Sequence, residues 1–233
     1  MGAITKKELR SYFSSPVGYV CVGVILALFG YYFYQVMLLR SSYYVGAVYG
    51  TMFVLCMMVI PIITMKTFSE EKKNKTDQAL LTAPVSVTAI VMGKFLAAFC
   101  VYLIAIVGSM VPVVVISFFS SMNWGMVFGN VIATLLYGAA MIAIGIFISS
   151  LTESQIIAAI GSFGVAIFVS VIDQLGSMLG GAAQTFIGWI SFNTRYQPFT
   201  TGTFDIPSVV FFLSVTAVFV FLTARKLERK RWS

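Results

Sequence analysis

The sequence predicts an all-α membrane protein with six transmembrane helices, and three observations carry that prediction. Only 10% of the 233 residues are charged, while 59% are hydrophobic and 15% aromatic; soluble domains are roughly a quarter charged. Six apolar runs carry no charge along their length. Thirteen of the fifteen Lys and Arg residues fall in segments that six spans would place on one side, the positive-inside pattern. A mean hydropathy of +0.96 agrees. Too little polar sequence remains for a second domain, so residues 1–233 read as one transmembrane domain.

At the N-terminus, Thr5–Ser14 predicts an amphipathic helix. Leu9, Tyr12 and Phe13 share one face, with Lys6, Lys7 and Arg10 beside them. Such a helix lies in the interface plane with its basic flank at anionic headgroups. The next run, Val17–Leu39, resembles a signal-peptide core but is 23 residues long and has no A-x-A site after it. It is the first span. Val45–Met65, Phe95–Phe119 and Val127–Leu151 have 21 to 25 residues each, enough for about 30 Å of hydrocarbon at 1.5 Å per residue. Ile156–Ile172 and Ser208–Ala224, 17 residues apiece, complete the six. None shows the period-2 alternation of barrel strands, so helices are the spanning form.

Charge orients the spans. Lys6, Lys7 and Arg10 precede the first; Lys66, Lys72, Lys73, Lys75 and Lys94 lie between the second and third; and Arg225, Lys226, Arg229, Lys230 and Arg231 follow the sixth. Arg40 and Arg195 alone fall on the other side. Both termini are therefore expected in the cytoplasm of a multi-pass cell-membrane protein. The external segment 173–207 divides in two. Gly176–Phe192, broken by three glycines, is expected to be re-entrant or interfacial, and Asn193–Pro207, with Pro198, Gly202 and Pro207, an ordered loop.

Several function classes are excluded. The chain has no histidine, and Cys21, Cys56 and Cys100 lie in apolar runs without metal or disulfide spacing. No cofactor is expected on this chain. The basic residues flank apolar spans, which argues against nucleic acid and for the lipid bilayer as their partner. Gly93-Lys94 lacks the upstream glycine and the following Ser/Thr of a phosphate-binding loop. The six runs hold no Asp, Glu, Lys, Arg or His, the residues of ion and proton relays.

The informative stretch is 66–94, the longest hydrophilic segment between spans. Thr76 is expected to cap a short helix, with Asp77 in its first turn where the helix dipole favours an anion. Leu80 and Leu81 give that helix an apolar face in need of a partner, and Pro84 ends it. Ser86 is expected to cap the helix of the third span.

Glu70-Glu71, Thr76, Leu80-Leu81, Pro84, Ser86 and Gly93-Lys94 together resemble the coupling-loop pattern of ABC-2-type transporter permease subunits. The whole chain is similar in its basic N-terminal helix, six spans and broken apolar segment between spans 5 and 6. The tail from Tyr196 to Trp232 is most similar to the gliding-motility-type branch, except that Thr201 stands where that branch usually carries a basic residue. The resemblance implies a permease half that pairs with a second permease, identical or not, and docks a cytoplasmic ATPase subunit binding ATP and Mg. It implies that Thr76–Thr82 is the coupling helix, with Glu70 and Glu71 available to basic groups on the ATPase, and that ATP-driven exporter function follows. A self-sufficient carrier or channel, or a structural membrane anchor of a cell-surface complex, are the alternatives.

Overall fold

The computed structural model describes residues 1–38, 45–76, 85–119, 123–179 and 181–232. Among them the chain forms ten helices and no strand. Helix α1 (Gly2–Ser14) precedes α2 (Pro16–Leu38), α3 (Val45–Thr64) and α4 (Lys66–Lys73). Then follow α5 (Val87–Ser117), α6 (Trp124–Leu151) and α7 (Gln155–Leu179). The chain closes with α8 (Gly181–Ile190), α9 (Phe192–Thr200) and α10 (Ile206–Trp232). Among the described residues six stretches are long and apolar enough to cross a membrane: α2, α3 with α4, α5, α6, α7 and α10.

Helix α6 is the hub, packing against α3, α4, α5, α7, α9 and α10. Two-thirds of its most apolar window is buried, against 17% for α10, so α10 is a peripheral helix leaning on a central one. An aromatic cluster ties the hub to its neighbours. Phe53 of α3 stacks on Tyr137 of α6 at 4.4 Å, and Phe192 and Phe212 meet the Tyr137 ring edge-on from α9 and α10. Beside it, Tyr102 donates its hydroxyl to Thr134 O at 2.8 Å, satisfying a polar group in the α5–α6 contact.

The structure corrects several expected boundaries. The third span starts at Val87 rather than Phe95, because Ser86 Oγ caps it by accepting from Ala89 N at 3.3 Å and the helix runs on through Lys94. The charged strip 66–73 is helical: Met65 keeps a helical conformation, and its N–H still reaches Pro61 O at 2.9 Å, so α4 continues α3 with hardly a break. Helix α7 runs seven residues past Ile172 to Leu179; of the described residues in the segment 176–192, the first four end α7, Gly181–Ile190 form α8 and Phe192 opens α9.

The expected loop Asn193–Pro207 contains α9. Ser191 Oγ caps that helix by accepting from Thr194 N at 2.9 Å, and Phe192, Tyr196 and Phe199 bury its inner face. Burial of that aromatic stripe outweighs Pro198, whose ring falls in the last turn.

Candidate functional site at the basic end of the bundle

Three of the basic segments meet at one end of the bundle. There α1 packs on α5 and α2, α4 packs on α6, and the end of α10 reaches the start of α5. The joint is built around Lys94.

Lys94 is in register with the buried stripe of α5: Val87, Ile90, Val91, Lys94, Ala97 and Ala98 all face inward at helical spacing. Its side chain is 1% exposed. An ammonium there needs full compensation, and four groups provide it. Glu8 Oε1 of α1 lies 3.1 Å away, and Glu71 Oε1 of α4 lies 2.9 Å away. Nζ also donates to Thr67 O at 2.9 Å and sits over the Phe68 ring, 5.1 Å from its centroid. One lysine thus binds the N-terminal helix and the helix following the second span to the third span. Glu71 Oε2 is buried and has no hydrogen-bond partner among the described residues.

A second set of contacts reinforces the joint. Tyr12 is buried and donates its hydroxyl to Ile63 O at 2.8 Å, with Thr67 Oγ1 at 3.3 Å. Burial pushes its phenol well above the ordinary tyrosine range; the Thr67 hydrogen bond opposes that shift and the nearby Glu8 charge adds to it. Lys66 Nζ donates to Ser15 Oγ at 2.9 Å and lies over the Tyr12 ring. Gly93 lets α1 come close: a Cβ there would stand 2.9 Å from Ile4 Cγ2.

On its other side α4 is held by α6. Ser149 Oγ accepts from Phe68 N at 3.1 Å and Ser69 N at 3.2 Å, and donates to Met65 O at 3.0 Å. A serine of another helix thus satisfies two amide donors in the first turn of α4. Lys72 Nζ donates to Ser150 O.

Helix α4 ends in a Schellman motif. Lys75 takes a positive φ of 56°, its N–H bonds Lys72 O at 3.1 Å, and Thr76 N–H bonds Glu71 O at 2.9 Å. Thr76, expected to cap a helix ahead of it, also turns its hydroxyl back onto Glu71 O at 3.3 Å.

The other expected site residues fall as follows. Glu70 is exposed, whereas Glu71, expected to be available to a partner, spends Oε1 on Lys94. Asp77, Leu80, Leu81 and Pro84 lie outside the described residues. In α1, Lys6, Lys7 and Arg10 are exposed, Leu9 and Phe13 half-buried and Tyr12 buried. The apolar face of α1 is therefore spent on its own bundle, with Ile4, Leu9 and Phe13 packed against the core. Sequence reasoning missed Lys94, Glu8 and Ser149 as members of the site. Lys94 had a signal, its place on the inward stripe of a helix capped at Ser86; Glu8 and Ser149 had none.

Six helices of spanning length among the described residues, with Lys94, Glu8 and Glu71 joined at one end of the bundle, define a multi-pass membrane protein with a built joint. A model of the ABC-2 family transporter protein family matches residues 2–231, so the chain belongs to that family. Its members generally serve as the permease components of ABC exporters, working with an ATPase subunit, and are typically not enzymes themselves. No curated protein gives a significant match.

Proposed function

We propose that this chain is the membrane-spanning half of an ATP-driven exporter that couples hydrolysis on a separate ATPase to substrate movement. Two permeases pair, identical or not, and each docks one ATPase that carries ATP and Mg. The docking face comprises α1, α4 and the stretch Thr76–Thr82, on the cytoplasmic side of the cell membrane, where both termini also lie. The observation that carries this reading is the Lys94 joint. The N-terminal helix and α4, the helix that leads into the expected coupling segment, are bonded through one buried lysine to the third span, so a force on either is shared with the transmembrane helices.

In this reading Glu70, exposed, is the acid that meets a basic group of the ATPase, and Glu71 positions α4. Leu80 and Leu81 fill an apolar groove on the ATPase, and Asp77 and Pro84 bound the coupling helix. Within the family we place the chain with the gliding-motility-type permeases on the residues of its tail.

The test is co-purification with an ATPase and vanadate-sensitive turnover in proteoliposomes. Leu80→Asp and Glu70→Lys are expected to weaken association and lower turnover while the permease keeps its melting behaviour. Unchanged association and turnover in both variants rule out this interface. Transport by the purified chain alone, without nucleotide, rules out the ATP-driven reading.

A further inference from the structure

An apolar groove of about 420 Å³ runs between the first half of α5 and the middle of α10. Met92 and Phe95 form one wall, and Leu213, Ala217, Val220 and Phe221 the other. Leu213 and Ala224 mark its extent along α10. The eleven steps from one to the other rise about 16 Å at 1.5 Å per residue, half of a hydrocarbon core of about 30 Å. The groove is one leaflet deep.

Its end near the start of α5 is basic. Arg231 Nη1 donates to Val85 O at 3.4 Å, bridging from α10 to the residue ahead of α5. Arg225 lies over Phe221, a wall residue, at 5.1 Å from the ring centroid, and 66% of its side chain is exposed. Thr88, an exposed residue of the lining at the same end, donates its hydroxyl to Ser86 Oγ at 3.3 Å. Lys226 and Arg229 are exposed nearby on α10. Glu228, 3.2 Å from Arg225, is the one acid on this stretch of α10, so the end remains strongly positive.

We propose that this groove is a binding site for an anionic phospholipid of the leaflet on the basic side. One acyl chain lies in the groove, and the phosphate sits against Arg225 and Arg231. Lipid tails are as apolar as leucine, so the apolar walls supply shape and no preference among lipids. Selection comes from the headgroup, at about five-fold per basic residue near the surface. The proposal holds for either orientation of the chain and does not depend on the exporter reading.

Native mass spectrometry of the full chain in detergent, titrated with phosphatidylglycerol or phosphatidylethanolamine of identical acyl chains, tests it. The wild type is expected to retain phosphatidylglycerol preferentially. The double variant Arg225→Gln/Arg231→Gln is expected to lose about twenty-five-fold of that preference. Ala217→Trp, which fills the groove, is expected to lose both lipids, and Ile160→Trp, on the exposed face of α7, to lose neither. Equal retention of the two lipids by the wild type overturns the proposal, as does wild-type retention by Ala217→Trp. A photo-crosslinker at position 217 is expected to capture lipid. Capture of a second copy of the chain instead assigns the groove to a protein contact and likewise overturns the proposal.

Discussion

Lys94 Nζ lies 2.9 Å from Glu71 Oε1, joining the first turns of the third span to the helix that prolongs the second. Glu8 closes the same ammonium from the N-terminal helix. Three separate helices thus converge on one cation that is almost wholly withdrawn from solvent.

Removing that cation leaves two largely buried carboxylates facing each other. Breaking a buried pair by deleting one partner costs about 3–5 kcal/mol. Lys94→Met is therefore expected to lower the apparent melting temperature in detergent by many degrees. Adding Glu8→Gln and Glu71→Gln to it should recover most of the loss by removing the stranded charges. A single variant that melts with the wild type would show that the cluster contributes nothing to stability.

Gly145 marks a close approach of α6 to the end of α3. A Cβ there would stand 2.2 Å from Thr64 Oγ1 and 2.8 Å from Thr64 Cβ. Gly145→Ala is expected to destabilise by about 1–3 kcal/mol, the usual cost of overpacking. Gly164→Ala on α7 meets no atom within 4 Å and should leave the melting curve in place. Equal behaviour of the two variants would contradict this contact.

Lys75 occupies the left-handed position of the Schellman motif, where glycine avoids a penalty that other residues carry. Lys75→Gly is expected to stabilise the end of α4 by roughly 0.5–1 kcal/mol. Slower hydrogen exchange at the Asn74–Thr76 amides is the readout, and faster exchange there would count against the motif.

Tyr12 supplies a pH test. Its phenol holds its proton more tightly folded than unfolded, because burial disfavours the phenolate. The stability it adds is present below the ordinary tyrosine value of about 10 and is lost as pH rises beyond it. Tyr12→Phe has no proton to lose. At neutral pH it should be less stable than the wild type by about 1 kcal/mol, the worth of its hydrogen bond, and the gap should shrink above about pH 10. A gap that stays constant from pH 8 to pH 11 would show that the phenol does not ionise on unfolding.

The spans were legible because charge-free apolar runs of that length have few alternative fates. The same rule misplaced the start of the third span. Cutting the sequence at every charge makes Lys94 a boundary, although its spacing from Val87, Ile90 and Val91 puts it on the inward face. A lysine paired with two carboxylates can occupy that face, but the pairing with Glu8 crosses 86 residues and leaves no local trace. The same holds for Ser149, whose partners lie some eighty residues away. Helix α9 was half legible: Phe192, Tyr196 and Phe199 repeat at i, i+4 and i+7, yet Pro198 and Gly202 mark turns more strongly than three aromatics mark a helix. The apolar face of α1 was readable, but the choice between lipid and the protein's own bundle for its partner depends on packing that a single chain's periodicity does not encode.

Ser149 and Lys94 together have a consequence for how such a chain can change. They fix the outgoing stem at α4 to α6 and to α5, while the Ser86 cap and Arg231 secure the returning stem at the head of α5. Neither stem relies on the residues between them for these bonds. If that intervening stretch carries the proposed ATPase contact, exchanging it like a cassette alters which ATPase is recognised while these bonds of the transmembrane scaffold stay as they were.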